Sequence, residues 1–171
     1  GKGKVCMDIS ALLFKELEKH RIKTHYLDTF PERIMSCRKV DIIPIEFVVR
    51  NVAAGSIVRE TTLEKGRLFN WPLVEYYLKD DEKDDPLLTR DRINLMGYSE
   101  ELDLITHISR EVNAVLKGIF RKIGITLVDF KLEFGYDSEK NILLADELSP
   151  DGMRLWKEGT QESFDKDLFR K

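Results

Sequence analysis

The sequence predicts an α+β fold, and three observations carry that prediction. Residues 99–123 hold apolar side chains at helical spacing, so a long amphipathic helix is expected there. Residues 37–52 are rich in β-branched side chains, and within 125–134 residues 128–134 alternate apolar with charged ones, which reads as strands. Hydrophobic residues fill 42% of the 171 positions. At roughly 150 residues per domain, that is one domain or two tightly joined lobes around a real core.

The elements follow in order. Asp8 is the expected N-cap of a first helix in which Ile9, Leu12, Leu13 and Leu17 recur at helical spacing up to Lys19. Strands are expected over 37–41 and 45–52, separated at Pro44, and the small residues Ala53-Ala54-Gly55-Ser56 end the second. Residues 59–70 have no regular pattern, 73–79 read as a strand, and the acid-rich 80–85, closed by Pro86, as a loop. Ser99 is the expected N-cap of the long helix. Its apolar stripe runs through Leu102, Ile105, Ile108, Val112, Val115, Leu116, Ile119 and Ile123 until Gly124 stops it. A hairpin of strands 125–134 and 141–147 follows. Trp71 and Trp156 are expected to pack, and His20, His25 and His107 to have surface or packing roles, since none has metal spacing or a neighbouring nucleophile.

Composition narrows the partners. Twenty-eight Lys and Arg stand against 31 Asp and Glu, for a net charge of -3, and the two signs are interleaved. This disfavours a nucleic acid held by phosphate attraction. No apolar run approaches the roughly 20 residues of a membrane span, and the N-terminus lacks the apolar core of a secretory signal, so a cytoplasmic protein is expected. Cys6 and Cys37 form no CxxC pair and read as free thiols. The chain opens at Gly1-Lys2-Gly3-Lys4 without an initiating Met, which predicts a missing N-terminal segment.

Two stretches carry candidate chemistry. In the hairpin, Asp129, Lys131 and Glu133 fall on one strand face. A turn that pairs Phe134 with Asn141 would set Glu133 opposite Ile142, Lys131 opposite Leu144 and Asp129 opposite Asp146. Carboxylates gathered on one face repel unless a cation lies between them, and oxygen ligands of this kind suit Mg²⁺ bridging to nucleotide phosphates. The other reading is a solvated sheet face balanced by Lys131, and spacing alone favours it, because any half-exposed strand alternates. Along 45–52, Glu46, Val48 and Arg50 share a face that runs into Ala-Ala-Gly-Ser. There Arg50 could offer a bidentate fork and Ser56 a hydroxyl to a phosphate; an ordinary strand and turn fits equally well.

Three longer motifs then stand in one order. Residues 42–56 (IIPIEFVVRNVAAGS), 127–135 (LVDFKLEFG) and 146–156 (DELSPDGMRLW) resemble the signatures of the SAICAR synthetase family, and the likeness extends over essentially the whole chain. The resemblance implies a two-lobed fold with antiparallel sheets, distantly like protein kinases, with ATP in the cleft. Residues 1–40 would be the remainder of the small ATP-binding lobe and 41–171 the larger α+β lobe. It implies an ATP-dependent ligase joining carboxyaminoimidazole ribonucleotide to L-aspartate, with Mg²⁺ as cofactor.

Residue by residue, the resemblance implies that Glu133 and Asp146 hold Mg²⁺ and ATP. Cys37, Arg38 and Lys39 would lie on a hinge that meets adenine, and Asp129 and Lys131 would line the reacting centre. Arg50, Ser56, Asp85, Arg154 and Arg170 would surround the ribonucleotide. Asp129 would either orient the aspartate ammonium or accept its proton. Family members often form homo-oligomers. They also begin with a Gly- and Lys-containing loop over the ATP phosphates and usually end with one more helix. Neither lies within these 171 residues, which implies a fragment or ends outside the numbering. Two other readings stand beside the ligase. One is a small-molecule kinase with a related Asp-x-Lys strand, against which the first signature speaks. The other is a truncated, non-catalytic module that keeps the ribonucleotide pocket.

Overall fold

The computed structural model describes residues 2–31 and 34–164. Its elements are α1 (Lys2–Lys19), β1 (Tyr26–Phe30), β2 (Ile34–Cys37), β3 (Asp41–Ile42), β4 (Ile45–Val52), α2 (Ser56–Glu60), β5 (Leu68–Leu78), α3 (Arg90–Leu95), α4 (Ser99–Arg121), β6 (Ile125–Tyr136), β7 (Ile142–Ala145) and β8 (Met153–Lys157). Short 3₁₀ turns at Asp81–Lys83 and Pro150–Gly152 complete the set. Among the described residues, no helix is long and apolar enough to cross a membrane.

β6 is the axis. It pairs antiparallel along both edges, with β4 and then β3 on one side and β8 and β7 on the other. β5 lies outside β4, which makes a six-stranded sheet. β1 and β2 form a separate two-stranded sheet, and residues 38–40 link the two. The small sheet is clipped to the large one next to that link. His25 N–H donates to the Leu144 carbonyl at 2.8 Å, and Leu144 N–H donates to that of Lys23 at 3.0 Å.

Period-two alternation sorts the large sheet into two faces. Ile45, Phe47 and Val49 of β4 and Phe130, Leu132 and Phe134 of β6 enter one core with Leu102, Ile105, Val112 and Leu116 of α4 and Leu13, Phe14 and Leu17 of α1. Phe47 meets Tyr76 and Phe134 edge-on, each with centroids 5.5 Å apart. A reciprocal amide pair crosses this layer. Asn51 Nδ2 donates to Asn113 Oδ1 at 2.7 Å and receives the reciprocal bond at 3.0 Å, which fixes α4 against the strand that carries Arg50.

Several expectations are corrected. α1 starts six residues before Asp8, and the N-cap of α4 is Tyr98 with Ser99 as its first helical residue. The strand expected over 37–41 is two pieces, β2 and β3, on different sheets. β5 begins at Leu68, inside the stretch read as irregular, and α2, α3 and β8 are additional elements. Trp156 is buried, whereas Trp71 is 71% exposed, because it lies on the outer strand β5 where no layer covers it. The hairpin register is shifted by three residues, with Phe134 opposite Leu144 and Glu133 opposite Ala145. The cause is Asp137. Its Oδ1 accepts the N–H groups of Glu139 and Asn141, both at 2.9 Å, so the loop closes at Tyr136↔Ile142 and not at Gly135.

His25 is buried edge-on against Phe14, and its Nδ1 has no hydrogen-bond partner among the described residues. Burial holds its pKa below the ordinary 6.5. The fold therefore keeps the imidazole neutral while the unfolded chain takes up a proton, so stability falls as pH drops below 6.5 towards the folded value. Urea unfolding at pH 7.5, 6.5 and 5.5 is expected to show a steeper acid loss for the parent than for His25→Leu. Equal slopes would remove His25 from the acid sensitivity.

Candidate functional site

The face of the sheet opposite the core carries charge. β4 presents Glu46 and Arg50, β6 presents Asp129, Lys131 and Glu133, and β5 presents Glu75 and Tyr77, all on one side by register. Arg50 lies opposite Asp129 across β4 and β6, and Asp129 lies opposite Arg154 across β6 and β8. Lys79, one residue past β5, joins this face through Glu133.

At one end, the two arginines share a carboxylate. Asp129 Oδ2 accepts from Arg50 Nη1 at 2.9 Å and from Arg154 Nη1 at 2.7 Å. Arg50 is 3% exposed, and every nitrogen of its guanidinium is engaged. Nε donates to Glu75 at 2.6 Å, Nη1 also to the Ala54 carbonyl at 3.3 Å, and Nη2 to Ser56 Oγ at 2.8 Å and the Tyr77 hydroxyl at 3.3 Å. Burial pushes the Asp129 carboxyl up, and Arg154 and Arg50 oppose it. The small-residue turn makes room for this cluster. At Gly55, φ is +68°, and a Cβ there would lie 2.5 Å from Arg154 Nη1, so only glycine fits both the backbone and the guanidinium.

At the other end the cations are exposed. Lys131 Nζ lies 2.7 Å from Glu46 Oε1, and its stem passes under Gly152. Burial works against the Lys131 charge, but Glu46 offsets it and leaves the pKa above the ordinary lysine value. Lys79 Nζ pairs with the buried Glu133 carboxylate. Burial raises the pKa of Glu133, and the Asp146 charge adds to the rise. Asp146 reaches this neighbourhood by breaking alternation. β7 ends at Ala145, and Asp146 takes φ +59°, a left-handed conformation of the kind that gathers at functional sites.

The remaining sequence candidates lie elsewhere. Cys37 ends β2, half-buried, and Arg38 and Lys39 are exposed on the link between the sheets. Arg38 Nη1 lies 3.7 Å from Asp137. Asp85 caps its own loop by accepting the Asp80 N–H at 2.9 Å, past the Leu78 end of β5. Arg170 lies outside the described residues. A cavity of ≈ 250 Å³ is lined by Lys2 and Cys6 of α1, Met35 of β2, and Glu147 and Asp151 of the segment that follows Asp146. Glu46, Glu75, Tyr77 and Lys79 were not among the candidates. Alternation of 75, 77 and 79 puts them on one face, but only the β4–β5 pairing shows that this face is the one carrying Arg50.

Comparison with known proteins places this arrangement. The sequence profile of SAICAR synthetase matches residues 1–171. The phosphoribosylaminoimidazole-succinocarboxamide synthase of Nostoc punctiforme is 48% identical over 177 aligned residues, covering 100% of this chain and 72% of the relative. That of Methanocaldococcus jannaschii is 48% identical over 173, again covering 100% and 72%. A SAICAR synthetase solved in complex with ADP superposes with a TM-score of 0.95 at 43% identity, over 99% of this chain and 73% of that one. The enzyme from Pyrococcus horikoshii gives 0.94 at 43% identity, over 99% and 75%.

The shared carboxylate supplies a stability test. Removing one partner of a buried ion pair leaves the other charge uncompensated, so Asp129→Ala is expected to cost about 3–5 kcal/mol in urea unfolding, with Asp129→Asn intermediate. A loss below about 1 kcal/mol would mean that water screens the cluster as it does a surface pair.

Proposed function

The chain belongs to the SAICAR synthetase family, and from that membership we propose how its charged sheet face carries out the family's reaction. The activity is that of a phosphoribosylaminoimidazole-succinocarboxamide synthase, an ATP-dependent ligase of purine biosynthesis. The carboxylate of carboxyaminoimidazole ribonucleotide is joined to the amine of L-aspartate, and ATP is split to ADP and phosphate. A carboxylate is a poor electrophile. Transfer of the γ-phosphoryl group to its oxygen releases ADP and makes that oxygen a leaving group. The aspartate nitrogen then forms the C–N bond, loses a proton, and phosphate departs.

The face must therefore gather two polyanions and offset their repulsion. Arg154 and Ser56 are proposed to hold the ribonucleotide beside Arg50, with Asp85 and Arg170 contributing from their loops. Arg154 is the open member of this set: its side chain is 39% exposed, and among the described residues the hydrogen bond it donates comes from Nη1, to Asp129. Arg50 acts from underneath, since its five N–H groups already fix Asp129, Glu75, Ser56 and Tyr77. Lys131, kept cationic by Glu46, stabilises charge developing on the transferred phosphoryl group. Asp129 meets the aspartate ammonium. Residues 37–39, which end the small lobe at the link between the sheets, meet adenine. The observation that carries this reading is the Arg50–Asp129–Arg154 cluster. It brings all three signature stretches onto one face, with Arg50 and Asp129 79 residues apart in sequence.

Glu133 and Asp146 are proposed to hold Mg²⁺. Among the described residues no group of three or more His, Cys, Asp or Glu side chains gathers as a metal cage. Two carboxylates fit Mg²⁺ well, because it binds proteins through one or two carboxylates and completes its shell with water and phosphate oxygens. Bound there, it would neutralise nucleotide phosphate charge. Free thiols at Cys6 and Cys37 support a reducing, cytoplasmic setting.

Turnover of ATP, L-aspartate and the carboxylated ribonucleotide, with the product identified by mass, tests the activity; phosphorylation of a sugar alone would point to a kinase. Asp146→Asn is expected to lower ADP affinity by at least about tenfold in calorimetry with Mg²⁺ present, the loss typical even of an outer-shell metal partner. Unchanged affinity would sink the metal assignment. Losing a charge-assisted Arg–phosphate contact costs about 1.5–3 kcal/mol. Arg154→Ala should thus raise the Michaelis constant for the ribonucleotide by roughly ten- to a hundredfold and leave that for ATP nearly unchanged. The reverse pattern would put the two anions on opposite ends from those assigned.

A further inference from the structure

Glu133 is the most deeply buried carboxylate at the open end of the charged face, and among the described residues Lys79 is its one ion-pair partner. The side chains of that pair differ sharply in exposure, 5% for Glu133 and 47% for Lys79. The carboxylate is thus fixed in the sheet while the ammonium is at its surface. The backbone of Lys79 is anchored, since its N–H donates to the Pro44 carbonyl at 3.1 Å just ahead of β4. The mobile part is the four-carbon stem.

We propose that Lys79 is a placeholder cation: its ammonium neutralises Glu133 until a divalent cation takes that carboxylate, and it then turns to the phosphates the cation brings. The proposal rests on the assignment of Glu133 and Asp146 to Mg²⁺. A buried carboxylate left without a cation is costly, which accounts for a lysine there before any ligand arrives. A divalent cation on Glu133 repels the ammonium at the same oxygens, so the two exclude each other. Lys131 responds differently, because its partner is Glu46 and it keeps that partner when Glu133 is taken. Lys79 has no second acceptor among the described residues. Phosphate oxygens brought by the cation would then be the acceptors offered to its ammonium.

Exclusion and capture give opposite signs in two binding measurements, which a purely structural lysine would not. Lys79→Met keeps the length and removes the charge. It is expected to bind Mn²⁺ alone about three- to fivefold more tightly than the parent, because the competing ion pair is gone. It is expected to bind ADP with Mg²⁺ about tenfold more weakly, because the phosphate contact is gone. Lys79→Arg, which retains the charge, should restore most of the ADP affinity, and thermal melting of both variants checks that they fold. If Lys79→Met weakens both ligands, or changes neither, the placeholder role is wrong. Glu133→Gln separates the two layers of argument. If that variant binds Mn²⁺ as the parent does, the metal assignment itself fails and takes this proposal with it.

Discussion

A single carboxylate oxygen, Oδ2 of Asp129, receives guanidinium bonds from β4 and β8 at once, and the register of three strands depends on it. Taking such charges out of water is expensive, and their attraction compensates only when the remaining donors and acceptors are also matched. Arg50 meets that condition, with Glu75, Ala54, Ser56 and Tyr77 on its other N–H positions. A one-residue slip of β8 would turn Arg154 to the apolar face and bring Leu155 to the charged one. The turn at Ala54-Gly55 is shaped by the same demand, because the guanidinium of Arg154 lies where any side chain on residue 55 would be.

Burial grades the charged face from end to end. Arg50 and Asp129 are nearly inaccessible, while Lys131 and Lys79 pair their carboxylates from the solvent side. Pairs of the first kind resist breaking because either partner alone would be a buried charge. Pairs of the second kind keep their carboxylate in the sheet and only their ammonium in solvent, so the cation is the partner that can be exchanged. One end of the site is therefore built to keep its geometry, while at the other the cations stand at the solvent side of their carboxylates.

Much of this was legible before the fold was known. Helical spacing over 99–123 and alternation over 128–134 locate α4 and β6, because a long amphipathic stripe and a period of two point to a helix and a strand. The charged face of β6 followed from the same alternation. The motifs of residues 42–56, 127–135 and 146–156, being long and in order, identified the family and with it the activity. What failed was whatever depended on a turn or on a partner strand. The hairpin register hung on Asp137 capping its own loop, a side-chain bond that strand periodicity does not encode. Asp146 joins Glu133 by leaving the strand through a left-handed residue, not by facing Asp129 across it. Lys79, Glu75 and Tyr77 entered the site only through the pairing of β5 with β4, a non-local contact that no spacing within either strand reveals.

The internal pairing of these charges also bears on how the enzyme folds and selects. A bare cationic pocket would attract any polyanion and would repel itself in the free protein. Here each cation already has an acid: Arg50 and Arg154 have Asp129, Lys131 has Glu46 and Lys79 has Glu133. The sheet can then form without ligand. At the lysine end a lone anion gains little by entering, because it must compete with a carboxylate that the sheet holds in place. A nucleotide arriving with its divalent cation would bring both signs, a new partner for the carboxylates proposed to hold the metal and phosphates for the released ammonium. On the assignment proposed for Glu133, Asp146 and Lys79, charge balance would be preserved through that exchange, and the face would favour the metal-bound nucleotide over either component alone.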